Sequence, residues 1–482
     1  MTIPTMPNDY PGGSLEPSPQ PSPTELLNDF VRAGVAFDVT SNVRAAHGRD
    51  WWPLSIPGVA LGHVPHWPGV VVFPVSTAQV SQVLSIASRH ATPVTVQGGR
   101  SGVLGGAVAA DGAIALDLTR LNRVLHLDEI SGTVSVEAGV FGPELETYAN
   151  ERGWTVGHFP QSFNLATVGG WLACRGAGQY SNRYGKIEDI VRGLTVVLAS
   201  GDVIELGGHG PRQAVGPDLM QLFVGSEGTL GVITRATLVL HRTANFERKT
   251  TFGFKTFEEG LEACRRILQR DARPAVLRLY DDIESQRVFG ESLNVLVVLD
   301  EGDRALVEAS MGIVEHECAA AIPLPEGHVD TWLEHRNDVS ALAPLWELGI
   351  VVDTIEVAGD WAILATLRAR VSEALRALEP TLVVSVHQSH AYRDGACLYF
   401  SFAGRPDGDA TAYYRLAWDV ATRAALASGA TLSHHHGVGH NRARFVKEAL
   451  GSAYPLLASL KDLLDPTFMM NPGVLGIGGE PW

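Results

Sequence analysis

The run QGGRSGVLGG (97–106) follows without a break on PVTVQ (93–97), which reads as a strand. Gly98, Gly99, Gly102, Gly105 and Gly106 permit positive φ and let backbone N–H groups approach an anion with no Cβ in the way. A pyrophosphate is the natural guest. For one such loop taken alone, a tight turn between strands is the plainer reading. The spacing is not GxGxxG opening a helix, which disfavours a Rossmann site, and no GK[ST] follows, which removes a P-loop. Two further stretches share the character, PQSFNLATVGGW (160–171) and GSEGTLG (225–231). Three anion-type loops in one α+β region are hard to explain as turns, and together they outweigh the plainer reading.

At 482 residues the chain has room for two to three domains. Residues 1–43 read as a proline-rich flexible tail and a first helix (24–33), and 45–58 as an irregular stretch. From 68 to 242 short strands alternate with helices: strands at 70–73, 93–97, 113–118 and 133–138, a helix from 143 to 152, a hairpin at 194–206 turning at Ser200-Gly201, and a long strand at 230–242. Ser76 and Gln79 read as a capping box ahead of a helix whose Val80, Val83, Leu84 and Ala87 share a face. Residues 246–316 then read strand, helix, strand, strand, helix, with Thr256 and Glu259 as a capping box, and 349–430 repeat that order. The expected fold class is α+β: a two-subdomain cofactor-binding domain (44–245), an antiparallel-sheet cap built from a duplicated βαββα unit (246–430), and a C-terminal segment (431–482) too short for its own core, returning to the first domain.

Charge narrows the partners. A formal net charge of -16 repels phosphate backbones, so no nucleic acid is expected, and a small-molecule substrate is. The four cysteines, Cys174, Cys264, Cys318 and Cys397, form no CxxC pair, which argues against a zinc knuckle or a disulfide framework. No basic-then-apolar leader and no apolar run near the ~18 residues of a transmembrane segment is seen, so a cytoplasmic location is expected.

The three loops in order, with ATVGGWLACRGAGQYSNRYGKIEDIV (166–191) and LFVGSEGTLGVIT (222–234), resemble the FAD domain of the vanillyl-alcohol oxidase/p-cresol methylhydroxylase (PCMH) superfamily over residues 44 to 478. IEDIVRGLTVV, GPDLMQLFVGSEGTLGVIT, HAYRDGACLYFSF and LSHHHGVGHNR are most similar to alkylglycerone-phosphate (alkyldihydroxyacetonephosphate) synthase and its bacterial relatives. The resemblance implies FAD, with Gln97, Gly98, Gly99, Arg100 and Ser101 at the pyrophosphate. It implies Pro160, Gln161, Ser162, Ala166, Thr167, Gly169, Gly170 and Trp171 near the flavin, and Glu227, Gly228, Thr229, Gly231, Val232 and Ile233 on the adenine side. Arg100 stands where covalent members carry a histidine, and Pro160 to Ser162 hold no cysteine, so the FAD is expected to be non-covalent. A homodimer is the family pattern.

His434, His435 and His436 are the most conspicuous polar run outside the loops. On an extended segment His434 and His436 face one side and His435 the other. Such a pair supplies two metal ligands at most, and no third histidine or carboxylate stands at ligand spacing, so no metal is expected. A structural trio bonded to backbone is one reading. A polar wall beside the flavin, exchanging protons near pH 7, is favoured. Tyr392 matches the family's catalytic tyrosine. Its phenol needs a cationic or flavin neighbour to lower a pKa near ~10, and the histidines are suitable neighbours. Tyr399, inside an aromatic strand, suits core packing. Arg278 shares a strand face with Val276 and Tyr280 and is expected to bind a carboxylate or phosphate, with a salt bridge to Asp281 or Glu284 as the alternative.

The segment 338–349 lacks the basic residue of the synthase pattern, so Arg336 or Arg175 has to serve as phosphate handle, and neither end carries a peroxisomal address. The synthase resemblance implies that the flavin N5 holds a lipid-like, phosphorylated substrate while Tyr392 and the histidines move its C1 proton and a fatty alcohol replaces the acid. The alternative is a flavin dehydrogenase or oxidase of a 2-hydroxy acid or alcohol.

Overall fold

A computed structural model describes residues 15–208, 210–338 and 343–479. Its fold is α+β, with three principal sheets. The first has four strands in the order Ala36–Asp38, Val70–Phe73, Ile114–Asp117, Val94–Gln97, the last three mutually parallel. Helix Thr77–Arg89 makes the crossover between Val70–Phe73 and Val94–Gln97, and its Val80, Val83, Leu84 and Ala87 are buried against them. Ser76 caps it through the Gln79 amide at 3.2 Å, but the Gln79 side chain accepts from Val75 N, so the expected box is only half closed. The second sheet is antiparallel with five strands, Val124–Asp128, Thr133–Glu137, Val232–Val239, Val191–Val197 and Val203–Gly207.

The third sheet has seven antiparallel strands in the order Ile322–Leu324, Phe246–Phe254, Asn294–Gly302, Val276–Tyr280, Thr381–Ala391, Gly395–Gly404, Val351–Asp360. Setting aside the short edge strand, the first βαββα unit contributes its strands in the order one-three-two and the second in the order two-three-one. The second strands of both units therefore meet at the centre, pairing Leu279 with Gln388 and Tyr280 with His387. Helices Phe257–Gln269, Arg304–Glu317, Leu364–Arg376 and Ala410–Ala427 cover one face, where Leu277, Leu279, Val298, Val386, Phe400 and Phe402 are buried. The alternate residues Arg278, Tyr280, His387, Ser389, Tyr399 and Ser401 face the other way, into a cavity. Alternation along each strand makes this sheet a lid, apolar above and polar below.

Two expectations fail here. Of the tail, residues 1–14 lie outside the described residues, but 15–23 are held in place. The buried Arg44 guanidinium donates to Pro19 O at 2.9 Å, Gln20 O at 3.5 Å and Pro68 O at 2.7 Å. Proline-rich backbone retains its carbonyls as acceptors, and a five-donor guanidinium collects them. Residues 45–58 are not irregular. Helix Ser41–His47, a 3₁₀ turn at Pro53–Ser55 and helix Ile56–Ala60 occupy most of the stretch, with proline in the first turn of both Pro53–Ser55 and Ile56–Ala60, where its missing N–H costs nothing. Helices Asp282–Phe289 and Gly327–His335 were also not foreseen.

The C-terminal segment returns across the first domain. Asn471 N donates to Val94 O at 2.8 Å, and its side-chain amide reaches Gly106 O and Glu227 O at 3.1 and 2.7 Å. The buried Lys461 ammonium bonds Asp465, Thr229 O and Met470 O at 2.6 to 2.8 Å.

Candidate active site

A cavity of about 620 Å³ lies between the glycine loops below and the cap sheet above, a size suited to a cofactor with its substrate. Its floor is backbone. A Cβ on Gly99 would stand 1.7 Å from Leu165 O, and one on Gly98 would stand 2.3 Å from the Thr167 hydroxyl, so the second loop packs directly on the main chain of the first. Arg100 adopts φ 54°, the left-handed region. Its guanidinium pairs with Asp117 at 3.2 Å, so Arg100 offers the cavity its backbone. The Gln97 amide nitrogen donates to His47 O and Ala107 O at 2.8 and 2.7 Å, bracing the first loop. Thr167 caps helix Val168–Cys174 by accepting from Gly170 N. An extended, side-chain-free cradle of this kind suits a dinucleotide diphosphate.

All the sequence-assigned cofactor residues line this cavity except Thr229 and Val232. Thr229 is fully buried and closes the third turn by donating to Ser226 O at 2.7 Å, while Val232 points into the core of the first sheet. Their offsets from Gly228 and Gly231 place them on the far side of the turn.

The histidine segment departs from its expected geometry. Residues 434–436 bend instead of running extended. They wrap the buried Glu356 carboxylate, which accepts from Ser433 Oγ, His434 N and His436 N at 2.6 to 2.9 Å. The bend brings His434 and His435 together, with Nδ1 to Nδ1 at 2.9 Å. His434 Nε2 meets the Tyr392 hydroxyl at 2.9 Å. A third histidine, His390, stacks on His434 at 4.9 Å and bonds Ser181 Oγ at 2.9 Å through Nδ1. The expectation of no third histidine is thereby overturned, since His390, His434 and His435 each present a nitrogen within 4.8 Å of the others. A register shift between Gln388 and His390 explains it: the bulge turns His390 to the cavity side along with His387 and Ser389. As arranged, His434 and His435 share a proton between their Nδ1 atoms, and His434 and His390 each share one with a hydroxyl, Tyr392 and Ser181, which makes a proton path of the cluster.

Burial sets its protonation. It lowers His434 and His435 to about 3 and His436 to about 4, so all three are neutral at pH 7. Burial also raises Tyr392, and the neutral histidines beside it supply no cation to bring it down, contrary to expectation. Protons still move along such a chain without an imidazolium. When Tyr392 donates to His434 Nε2, His434 donates from Nδ1 to His435, leaving the His435 proton on Nε2, and the reverse flow exchanges both tautomers. Of the assigned catalytic residues Arg278, His435 and His436 line the cavity. Tyr392 and His434 stand behind His435 as the inner links.

Arg278 is buried, with its guanidinium donating to the Tyr280 hydroxyl at 3.1 Å and to His387 Nε2 at 2.8 Å. Neither Asp281 nor Glu284 takes it directly: Asp281 caps helix Asp282–Phe289, and Glu284 is reached through His387 Nδ1 at 3.1 Å. A guanidinium only donates, so His387 carries its proton on Nδ1 and gives it to Glu284. Arg336 lines the same end of the cavity, with its guanidinium over the Tyr180 ring at 4.9 Å, while Arg175 pairs with Glu188 and does not line it. Tyr399 is not a core residue. It lines the cavity, stacked on His387 at 4.8 Å. His387, His390 and Ser181 join the site without having been singled out in the sequence, while Glu284, expected only as a direct partner of Arg278, enters through His387. The spaced polar residues of VSVHQSHAY, in an otherwise apolar strand, are the signal that marks two of them.

Comparison with known proteins fits this geometry. A family model described as FAD binding domain matches residues 68–207, and one described as FAD linked oxidases, C-terminal domain, matches residues 245–475. The FAD-linked oxidoreductase YgcU of Escherichia coli K12 is 30% identical over 433 residues, covering 85% of this chain and 89% of the relative. The chain belongs to the FAD-linked oxidoreductases. Within that family it is similar to alkyldihydroxyacetonephosphate synthase of Dictyostelium discoideum, 28% identical over 93% of this chain and 81% of the relative. It is also similar to D-lactate dehydrogenase of Anaerostipes hadrus, 26% identical over 84% of this chain and 89% of the relative. An alkyldihydroxyacetonephosphate synthase structure shares the fold with a TM-score of 0.79 at 24% identity, covering 95% of this chain and 87% of that one. p-Cresol methylhydroxylase shares the fold at a TM-score of 0.75 and 16% identity, covering 95% of this chain and 98% of the other. The cofactor of this chain is FAD. Among the described residues no helix is long and apolar enough to cross a membrane.

Proposed function

We propose that this FAD-linked oxidoreductase holds FAD non-covalently on the glycine-loop cradle and acts, as alkyldihydroxyacetonephosphate synthase is named for doing, on a substrate with an anionic head and an apolar chain. The observation that carries the reading is the hydrogen-bonded series Tyr392–His434–His435, which ends on a cavity shared with Arg278 and Arg336. The two guanidiniums suit a phosphate or carboxylate. Pro53, Ile56 and Trp346 give the same cavity an apolar wall for an alkyl chain. When bound, FAD supplies a two-electron acceptor and an electrophilic centre at N5. The chain's own groups orient the head on Arg278, exclude water beneath the cap sheet, and relay the C1 proton through His435 and His434 to the Tyr392 hydroxyl, which hands its own proton on toward Ser181 Oγ and His390 Nδ1. Replacement of the fatty acid by a fatty alcohol at that carbon leaves no net change of oxidation state.

A 2-hydroxy-acid dehydrogenase is the second reading, favoured by the similarity to D-lactate dehydrogenase and by the fit of Arg278 to a carboxylate. Anaerobic mixing separates the two. The synthase reading expects fatty acid release and an ether product from acylated dihydroxyacetone phosphate plus a long-chain alcohol, with the ~450 nm flavin band intact after turnover. Bleaching of that band by D-lactate or glycolate, with no ether product, overturns it in favour of the dehydrogenase.

A further inference from the structure

We infer that Glu227 and Glu356 are a pair of positioning residues that clamp the histidine segment from its two sides, joining the third cofactor loop to the proton path. The inference rests on the proposed role of the histidines and adds residues to it.

The cap supplies one jaw. Glu356, on strand Val351–Asp360, is fully buried and takes Ser433 Oγ, His434 N and His436 N, and its remaining demand is met by the Arg442 guanidinium at 2.9 Å. Arg442, also fully buried, returns to Glu356 O at 2.9 Å and Gly437 O at 3.0 Å, so the ion pair is tied to the segment's own backbone. The cofactor domain supplies the other jaw. Glu227 lies in the third glycine loop at φ 48°, a conformation glutamate rarely adopts. Its two oxygens accept from Val438 N at 2.6 Å and Gly439 N at 2.8 Å. Four backbone N–H groups within six residues are thus held by two carboxylates from opposite halves of the molecule.

The clamp explains the glycines after the histidines. A Cβ on Gly437 would stand 2.7 Å from Glu227 Oε1, and one on Gly439 would stand 2.2 Å from Leu104 O in the first cofactor loop. Both have positive φ, 78° and 53°. Only glycine lets the carboxylate and the first loop approach this closely. Because Glu227 also lines the cavity, packing of that loop and placement of His435 are a single mechanical unit.

Hydrogen–deuterium exchange on the FAD-loaded protein tests this. In Glu227→Gln and in Glu356→Gln the amides of 433–440 should exchange roughly tenfold faster, since each variant replaces one acceptor oxygen with a donating NH2, while cap-core peptides such as 295–299 stay protected. With the substrate found by anaerobic mixing, kcat should fall roughly 10- to 100-fold with KM within about threefold, because the proton path is displaced and the anion site is untouched. Glu356→Asp, which keeps the charge one methylene short, guards against loss of folding and should give the same signature more weakly. Unchanged exchange over 433–440 overturns the clamp, and raised exchange with unaltered kcat overturns the positioning role. A fully active Tyr392→Phe would instead remove the proton path, a separate failure.

Discussion

Tyr392→Phe should lower kcat roughly 10²- to 10⁴-fold, the range over which a positioned acid–base group acts. The substitution removes one oxygen. The ring keeps its place, stacked near His434 at 5.6 Å with the Lys186 ammonium 4.9 Å from its centroid. What is lost is the hydroxyl that meets His434 Nε2 at 2.9 Å, and with it the link by which a proton passes from His434 toward Ser181 Oγ. Flavin content and the 450 nm spectrum should be unchanged, because Tyr392 does not line the cofactor cavity. Steady-state kinetics beside flavin quantitation checks this. A loss under about fivefold would mean that the proton leaves by another route.

The second large effect is on the cofactor. Gly99→Ala should yield protein with little or no bound FAD, its affinity reduced roughly 100-fold or more, of the order expected when a backbone cradle is pried open. The new methyl would lie 1.7 Å from Leu165 O and 3.2 Å from the Phe141 ring. The first of these atoms is main chain, so no rotamer change relieves it and one of the first two loops must move. Gly312→Ala is the matched control. It lies within helix Arg304–Glu317, a Cβ there meets nothing within 4 Å, and it should retain FAD while gaining up to about 1 kcal/mol of stability. Fluorimetric FAD titration of both variants decides the matter.

Gly99 and Arg278 illustrate what the chain discloses unaided. Gly99 is legible because glycine after a strand has few reasons to recur in pairs. Arg278 is legible because period-two alternation in AVLRLYD puts it opposite Leu277 and Leu279, which the structure buries under the helices. The pseudo-repeat of the cap is likewise written in turn and capping residues, such as the closed Thr256–Glu259 box. Features that depend on distant partners are not legible. Bending of the histidine run is imposed by Glu356, far upstream, and no local pattern announces it. His390 reaches the cavity through a bulge that breaks the alternation by which its side would be judged. Tyr399 reads as core because its strand is aromatic, although its pleat faces the site. Residues 15–23 read as tail because their order comes from Arg44, whose carbonyl acceptors no composition rule anticipates.

A cradle of main-chain N–H groups gripping FAD without a covalent bond is the premise beneath all the rest, and denaturing the purified protein tests it directly. Yellow protein that releases its flavin quantitatively into the acid-soluble fraction, identified there as FAD at one per chain, is the expected result. Folded protein that stays colourless after incubation with excess FAD, or whose flavin stays with the precipitated polypeptide, contradicts it.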